Sequence, residues 1–417
     1  MLISSEVSWQ RSKVDPLFAR TQLEDESAYA MFYYAAFAVY ILMSLIKMTT
    51  FHEIFFVPVD IFETFATSII IVLLAAKMLF QRARLSTWFF VIAISIIGFL
   101  SWQNAGEGWL FWLFLFVACG EGVSLYRLAF IALITSVIVV IYTTSCASLG
   151  IIENVIKYRP DGTTRYSMGF VHPNSFGLVM LMACTSFSVL RFDKHPAPSI
   201  VTLIIAALLS ISVADSRTPA LLAVLQICLL VIFHSAKTEH SRNLWRKIFL
   251  ALIFGSVGIS IFFMFFYSST NSLFQSLDAL VNGRFGLAHS YYELAPISLL
   301  GNDYSNYDPI FYNTEDGTAS QFMVDNAYCH IILRYGLLPS LIFFSSFCSL
   351  SVLVYRQQRW DALLFGLVVM SLYAIEENMG TMVESNYFLV SAASLVIFRT
   401  VNSQSDLYVS KLKREIH

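Results

Sequence analysis

The sequence predicts an all-α polytopic membrane protein of about twelve transmembrane helices. Three observations carry that expectation. The 417 residues are 57% hydrophobic, with a mean hydropathy of +0.67. Only 13% are charged, where a soluble domain has about 25%. The apolar residues fall into runs that approach or reach the 20 or so residues a helix needs to cross a bilayer. Domain counting by length, as for soluble chains, does not apply. The net charge of −2 matters less than where the charges lie.

The elements follow in order. Residues 1–29 are polar and mixed in charge, so they read as a cytoplasmic tail with no cleavable signal, and the first apolar run is an uncleaved anchor. Apolar runs then occupy 30–48, 62–80, 87–102, 108–120, 125–149, 173–190, 198–214, 218–234 and 248–267, which makes nine spans over 30–267. A long extracytoplasmic loop, 268–329, precedes the tenth. Spans ten to twelve are 330–354, 361–377 and 387–399, and a second cytoplasmic tail covers 400–417. The fourth and twelfth runs are short. The six cysteines lie in or at the ends of apolar runs, with no CxxC and no metal spacing, and read as small core residues.

Lysine and arginine give the orientation, because they avoid the outer loops. With the N-terminus in the cytoplasm, 19 of the 26 basic residues face inside, and both termini lie there. The seven exceptions are Lys47, Lys157, Arg159, Arg165, Arg217, Arg284 and Arg334. Arg165, Arg217, Arg284 and Arg334 each stand at or near the outer end of a span. Three outer segments hold most of the exceptions: 150–172, the turn "ADSRTPA" at 214–220, and the long loop. A loop of that length is functional or disordered, and its aromatic and aliphatic content argues for short folded helices on the membrane. From 268 to 325 it carries seven acids and one base, Arg284, so charge balance alone is one reading of that arginine.

Each outer motif has a structural and a functional reading. In "HPNSFG", Pro173 suits a first helical turn, and His172 or Asn174 are available as caps. "DSRTP" also reads as a helix start through Asp215, Ser216 and Pro219. Capping does not account for Arg217, since the helix dipole disfavours a cation at that end; an ion pair with Asp215 is the structural alternative. In "DNAYCHIILRYG", Asn326, His330 and Arg334 are four residues apart and share a helix face. Ionisable groups at that depth are functional candidates; interfacial anchoring with Tyr328 and Tyr335 is the plainer reading. Glu376, Glu377 and Glu384 add carboxylates in "IEENMGTMVESN". No DxD pair, P-loop, dinucleotide glycine pattern, HExxH or GxSxG occurs. No basic nucleic-acid patch is present. Neither a metal nor a cofactor is expected.

The charges crowd the outer interface rather than the span centres, where a secondary transporter more often keeps its polar groups. That interface is where a lipid-linked headgroup sits. Guanidinium groups bind phosphate oxygens bidentately and stay charged. A lipid diphosphate is a good leaving group once its developing charge is stabilised, and a histidine or carboxylate takes the proton of an attacking hydroxyl. Group transfer from a lipid diphosphate on the outer face is the resulting expectation.

Four stretches, "RYSMGFVHPNSFG", "DSRTPALLAVL", "NGRFGLAHSYYELAPISLLGN" and "VDNAYCHIILRYGLLP", resemble in order the bacterial O-antigen and exopolysaccharide polymerase family (Wzy-type), related to O-antigen ligases. The likeness spans about 165–340. It implies a GT-C-like, metal-independent membrane glycosyltransferase of the bacterial plasma membrane that joins repeat units carried on undecaprenyl diphosphate. The lipid bilayer, and a flippase and a chain-length regulator of the same pathway, are the implied partners. Arg165, Arg217 and Arg284 match the family arginines thought to hold the diphosphate; Arg334 joins them as a candidate. His289 and His172 are the first candidates for the base, then Asp325 and His330, with Asn174 and Asn326 in support. The RX10G pattern of some O-antigen polymerases is absent, since Ala295 stands where its glycine falls. A ligase acting on another acceptor, and a lipid-oligosaccharide flippase or transporter, are the alternatives.

Overall fold

The structure is a computed structural model, and it describes residues 29–53, 59–81, 85–159, 162–307, 311–312, 319–320, 324–356 and 360–391. The expected cytoplasmic tails, apart from Tyr29, and most of the twelfth span lie outside the described residues, as do Asp308, Glu315 and Asp316 of the long loop.

Apolar composition builds the bundle one run at a time. The helices are α1 (Ala30–Lys47), α2 (Val59–Phe80), α3 (Leu85–Ala105), α4 (Trp109–Ala118), α5 (Leu125–Ser148), α6 (Pro173–Leu190), α7 (Ala197–Ser212), α8 (Arg217–Ser235) and α9 (Glu239–Phe266). Then come α10 (Ser272–Leu280), α11 (Arg284–Leu294), α12 (Ala327–Tyr335), α13 (Leu337–Arg356) and α14 (Asp361–Glu376). Among the described residues, eight helices are long and apolar enough to cross a membrane: α1, α2, α3, α5, α6, α8, α9 and α13. The fourth, seventh and eleventh expected spans are helices of 10, 16 and 16 residues. Residues 387–391, where the twelfth was expected to start, are helical. Large apolar side chains such as Phe65, Val72, Phe89, Ile96 and Leu208 are exposed on the outside of the bundle. Helices apolar on every face suit lipid rather than water. The chain is an all-α polytopic membrane protein.

Two spans differ from their expected bounds. The ninth starts earlier, because Thr238 caps α9 by accepting from the Ser241 N–H at 3.1 Å, well before the apolar run begins. The tenth is broken. Gly336, with φ 86°, separates α12 from α13. The Leu337 and Leu338 N–H groups bond instead to the carbonyls of Ser298 and Leu299, at 2.9 and 3.0 Å, and Ser101 Oγ donates to the Tyr335 carbonyl at 3.0 Å. A Cβ on residue 336 would stand 2.5 Å from the Gly301 nitrogen. Only glycine combines that φ with that approach, and protein rather than water satisfies the interrupted backbone. Cys228 departs from the core reading of the cysteines: it is exposed, whereas Cys119, Cys146 and Cys329 are buried.

Local structure absent from the sequence reading appears in the 150–172 segment. Strands β1 (Ile156–Tyr158) and β2 (Thr164–Tyr166) form an antiparallel hairpin with Lys157 opposite Arg165. The long loop holds α10, α11, a 3₁₀ turn at Tyr304–Asn306 and two short strands, β3 (Phe311–Tyr312) and β4 (Ala319–Ser320).

The helices alternate in direction, so the ends of α1, α3, α5, α7, α9 and α14 meet the starts of α2, α4, α6 and α8 at one end of the molecule. That end, here the site end, was expected to face outward. At the opposite end Arg246 is buried, donates to both Asp361 oxygens at 2.7 and 2.9 Å, and reaches Glu239 at 2.6 Å. Lys77, also buried there, donates to the backbone carbonyls of Cys119 and Glu121. These cations are consumed by structure.

Candidate functional site

Two charged clusters form at the site end. The first gathers the hairpin, the start of α6 and the start of α8. His172 caps α6, its Nδ1 accepting from the Asn174 N–H at 3.1 Å. Asn174 then turns its side chain to other segments. Its Oδ1 accepts from Arg165 Nη2 at 2.7 Å and from Ser216 Oγ at 3.1 Å. Arg165 is buried and also donates through Nε to the Ala214 carbonyl at 3.2 Å. Gly177 allows this convergence, since a Cβ there would lie 3.1 Å from Ser216 Oγ and from the Pro219 ring. "RYSMGFVHPNSFG" and "DSRTP", about 40 residues apart in sequence, are therefore one unit in space.

Asp215 is the acid of this cluster. Arg159 forms an ion pair with it through Nε and donates through Nη2 to its carbonyl at 2.9 Å. Arg217 Nε is 3.6 Å from the Asp215 carboxylate, and the Arg217 side chain is 66% exposed. The ion pair that was the structural alternative for Arg217 is thus real but shared, with Arg159 holding the closer position. Two guanidinium groups, those of Arg159 and Arg217, face this one carboxylate, while Arg165 turns to Asn174 and the Ala214 carbonyl, which leaves positive charge in excess among these residues.

The second cluster joins α11, the start of α12 and the end of α14. Asp278 caps α11 by accepting from the Phe285 and Gly286 N–H groups at 2.9 and 3.1 Å. A Cβ on Gly286 would lie 2.8 Å from Asp278 Oδ2, which accounts for the second glycine of "NGRFG". Arg284, the first residue of α11, forms an ion pair with Asp325. Asn282 donates to Glu376 at 3.2 Å, and Glu377 follows at the mouth of α14. Burial raises the Asp325 carboxyl above its ordinary range, against the opposing pull of Arg284 and His330. Here carboxylates outnumber the cation.

His330 extends this cluster along α12. Its Nδ1 bonds the Val324 carbonyl at 2.9 Å and its Nε2 meets Glu107 Oε2 at 2.9 Å. Arg334 lies 3.9 Å from Glu107 and 3.7 Å from Asp303. Asn326 caps α12 by accepting from the Tyr328 and Cys329 N–H groups, and it donates to Ser260 Oγ of α9 at 2.9 Å. The expected stacking of Asn326, His330 and Arg334 places a cap below two charged groups.

The candidate residues therefore separate. Arg165, Arg217, His172 and Asn174 share the first cluster. Arg284, Asp325, His330, Arg334 and Asn326 belong to the second. His289 joins neither: Nδ1 bonds the Met264 carbonyl at 2.9 Å, and Nε2 lies 3.5 Å from Glu293, one turn along α11. Both ring nitrogens of His330 are engaged, and the Nδ1 of His172 is spent on its cap. Arg159, Glu107 and Asp303 are site-end residues that were not singled out as site candidates, and Glu377 was considered only among the carboxylates of "IEENMGTMVESN". Arg159 had a signal, as an outward exception to the charge bias. Glu107 had none, because its partner is 223 positions away.

Backbone strain marks the same places. Among the described residues, the non-glycine residues with positive φ are Met168 at 54°, Asp215 at 40° and Asn282 at 52°. They stand just ahead of α6, α8 and α11, the helices that present Asn174, Arg217 and Arg284. Such conformations cost about 1–3 kcal/mol each and concentrate at functional sites. Among the described residues no group of three or more His, Cys, Asp or Glu side chains is arranged to hold a metal ion. No protein-family model, curated protein or solved structure matches the chain.

Proposed function

We propose that this protein is a polysaccharide polymerase of the bacterial plasma membrane. It transfers glycan from one undecaprenyl-diphosphate carrier onto the sugar end of another lipid-linked repeat unit, at the outer face. The observation that carries this reading is the pairing, at one end of an apolar bundle, of a cluster with surplus guanidinium charge and a cluster with surplus carboxylate. Arg217, the exposed member of the first, engages a lipid diphosphate, with Arg159 and the buried Arg165 supplying further positive charge. In the second, Asp325 or Glu377 takes the proton of the attacking hydroxyl. When Asp325 is protonated its ion pair with Arg284 is dissolved, and that guanidinium turns to the charge growing on the leaving diphosphate. The acceptor oxygen bonds to the anomeric carbon, the carbon–oxygen bond to phosphate breaks, and the electron pair leaves with the diphosphate.

The test uses purified protein and lipid-diphosphate oligosaccharide, without nucleotide sugar or metal. A ladder of lipid-linked products stepping by one repeat unit is expected. Transfer only onto a different acceptor would make the protein a ligase of the same chemistry. Movement of the substrate across a bilayer with no new glycosidic bond would make it a transporter and defeat the proposal.

A further inference from the structure

The hairpin of the first cluster has two unlike faces. Side chains alternate across a strand. The register sets Ile156 opposite Tyr166 and Tyr158 opposite Thr164 on one face, with Lys157 opposite Arg165 on the other. Arg165 turns inward to Asn174 and is 4% exposed, whereas Ile156, Tyr158 and Tyr166 are 45%, 61% and 41% exposed. The inner face is cationic and the outer face is apolar and aromatic. A lone two-stranded hairpin is marginally stable at best in water, so the surroundings of that outer face bear on why the hairpin forms.

The position of the hairpin decides what meets that face. It follows α5, which presents exposed Ile134, Ile138 and Ile141 to lipid. α5 has 24 residues, or about 36 Å of helix, against about 30 Å of hydrocarbon. Its end therefore stands at the level of the headgroups. Leu149, about three turns above Ile138 on the same side of the helix, is exposed, and so is Ile151. The base of the hairpin is tied to this end of α5. Buried Ile152 packs with Phe51, Cys146 and Ala147. Thr50 Oγ1 donates to the Glu153 carbonyl at 2.8 Å, and the Thr50 N–H donates to the Gly169 carbonyl at 2.9 Å. A Cβ on Gly169 would come within 2.8 Å of Ile152 and 2.9 Å of Thr143. The lipid-facing surface of α5 thus continues through Leu149 and Ile151 to the outer face of the hairpin. The hairpin backbone tolerates that setting, because protein carbonyls accept from it: Thr163 from the Arg159 N–H at 3.0 Å, Val213 from Tyr166 at 3.1 Å and Val155 from Ser167 at 3.1 Å. Tyrosine suits the same layer, with its ring in apolar surroundings and its hydroxyl among headgroups.

We infer that the hairpin of β1 and β2 is a membrane-seated element, its outer face of Ile156, Tyr158 and Tyr166 resting among the lipids of the leaflet at the site end. The partner of this surface is the lipid bilayer itself. Arg165 and Tyr166 are neighbours on one strand and point to opposite faces. Seating Tyr166 in the leaflet therefore fixes the depth of Arg165 and, through Asn174 and Ser216, of the starts of α6 and α8. Arg217 is held in this way at the height of lipid phosphates. The seating rests on the fold and stands apart from the polymerase reading.

The experiment places nitroxide labels on the full chain in lipid nanodiscs. The exposed Cys228 is first replaced (Cys228→Ala), and the signal of that protein, labelled alone, is subtracted. Labels go on Tyr158→Cys and Tyr166→Cys, with Ile156→Cys as a third position on the same face. Ile138→Cys is the lipid reference, and Lys194→Cys, in the exposed turn after α6, is the water reference. Collision with oxygen relative to a water-soluble nickel chelate is expected to be higher at 156, 158 and 166 than at 194 and to approach the value at 138. Values equal to that at 194 put the face in water and overturn the inference. Labels that neither reagent reaches put the face against protein and overturn it as well. The readout needs no substrate, so failure of the polymerase reading in the ladder assay leaves this result standing, and the reverse holds too.

Discussion

The two clusters at the site end use the same residue types for opposite ends. Around Asp215 a single carboxylate organises Arg159 and Arg217, with Arg165 held beside them by Asn174, and Arg217 is left largely exposed to solvent. Around Arg284 a single guanidinium sits among Asp325, Glu376 and Glu377, it is ion-paired with Asp325, and burial raises the Asp325 carboxyl above its ordinary range. The difference teaches that an arginine's role follows from the local balance of charge rather than from its presence. Arg217 has charge to give a phosphate at once. Arg284 gains it only when a neighbouring carboxylate is protonated, and Arg334, set between Glu107 and Asp303, is already neutralised.

Changes that attack this contrast are ranked by expected effect. Asp325→Asn should be the most damaging, because the ion pair and the proton acceptor vanish together while side-chain volume is kept. Transfer falls by about 10²–10⁴-fold, the usual worth of a positioned acid or base, with normal yields of folded protein. Arg217→Ala comes next. Loss of one charge-assisted contact weakens diphosphate binding by about 10- to 100-fold, and because the side chain is exposed, thermal stability should barely move.

The pH profile sharpens the contrast further. Asp325 is competent as a proton acceptor only when ionised, and burial raises its carboxyl above the ordinary range. The rate should therefore rise with pH from above the ordinary carboxylate range and then level off, and Asp325→Asn should remove that limb from whatever rate remains. His289→Ala should have the smallest effect. It removes a tie to the Met264 carbonyl and should leave transfer within a few-fold, measured with the same substrate. A collapse of transfer on that substitution would restore His289 as a base.

Hydropathy made the spans legible, since a run of apolar residues has one stable fate in lipid. Among the described residues eight of those runs are helices long enough to cross, and several ends agree to a residue or two. Capping chemistry was legible too: His172, Pro173 and Asn326 stand where a helix start needs them. The break at Gly336 was not legible, because its cause is remote. Nothing near "RYGLLP" announces that residues 298–301 will lie against it and take its hydrogen bonds. The grouping of the motifs was half legible. Their order in the chain suggested one site, but the charges divided them into two, with Asn174 linking Arg165 to Ser216 and Asp325 linking Arg284 to His330. Glu107 carried no local pattern at all, and only the fold brings it to His330.

The division of labour between the clusters is the central claim, and binding tests it without chemistry. Undecaprenyl diphosphate would be titrated against the wild type, Arg217→Ala and Glu377→Gln in the same lipid nanodiscs. The account predicts that affinity falls about tenfold or more for Arg217→Ala and is kept within about threefold for Glu377→Gln. Equal affinity in the wild type and Arg217→Ala, or a loss confined to Glu377→Gln, would contradict it.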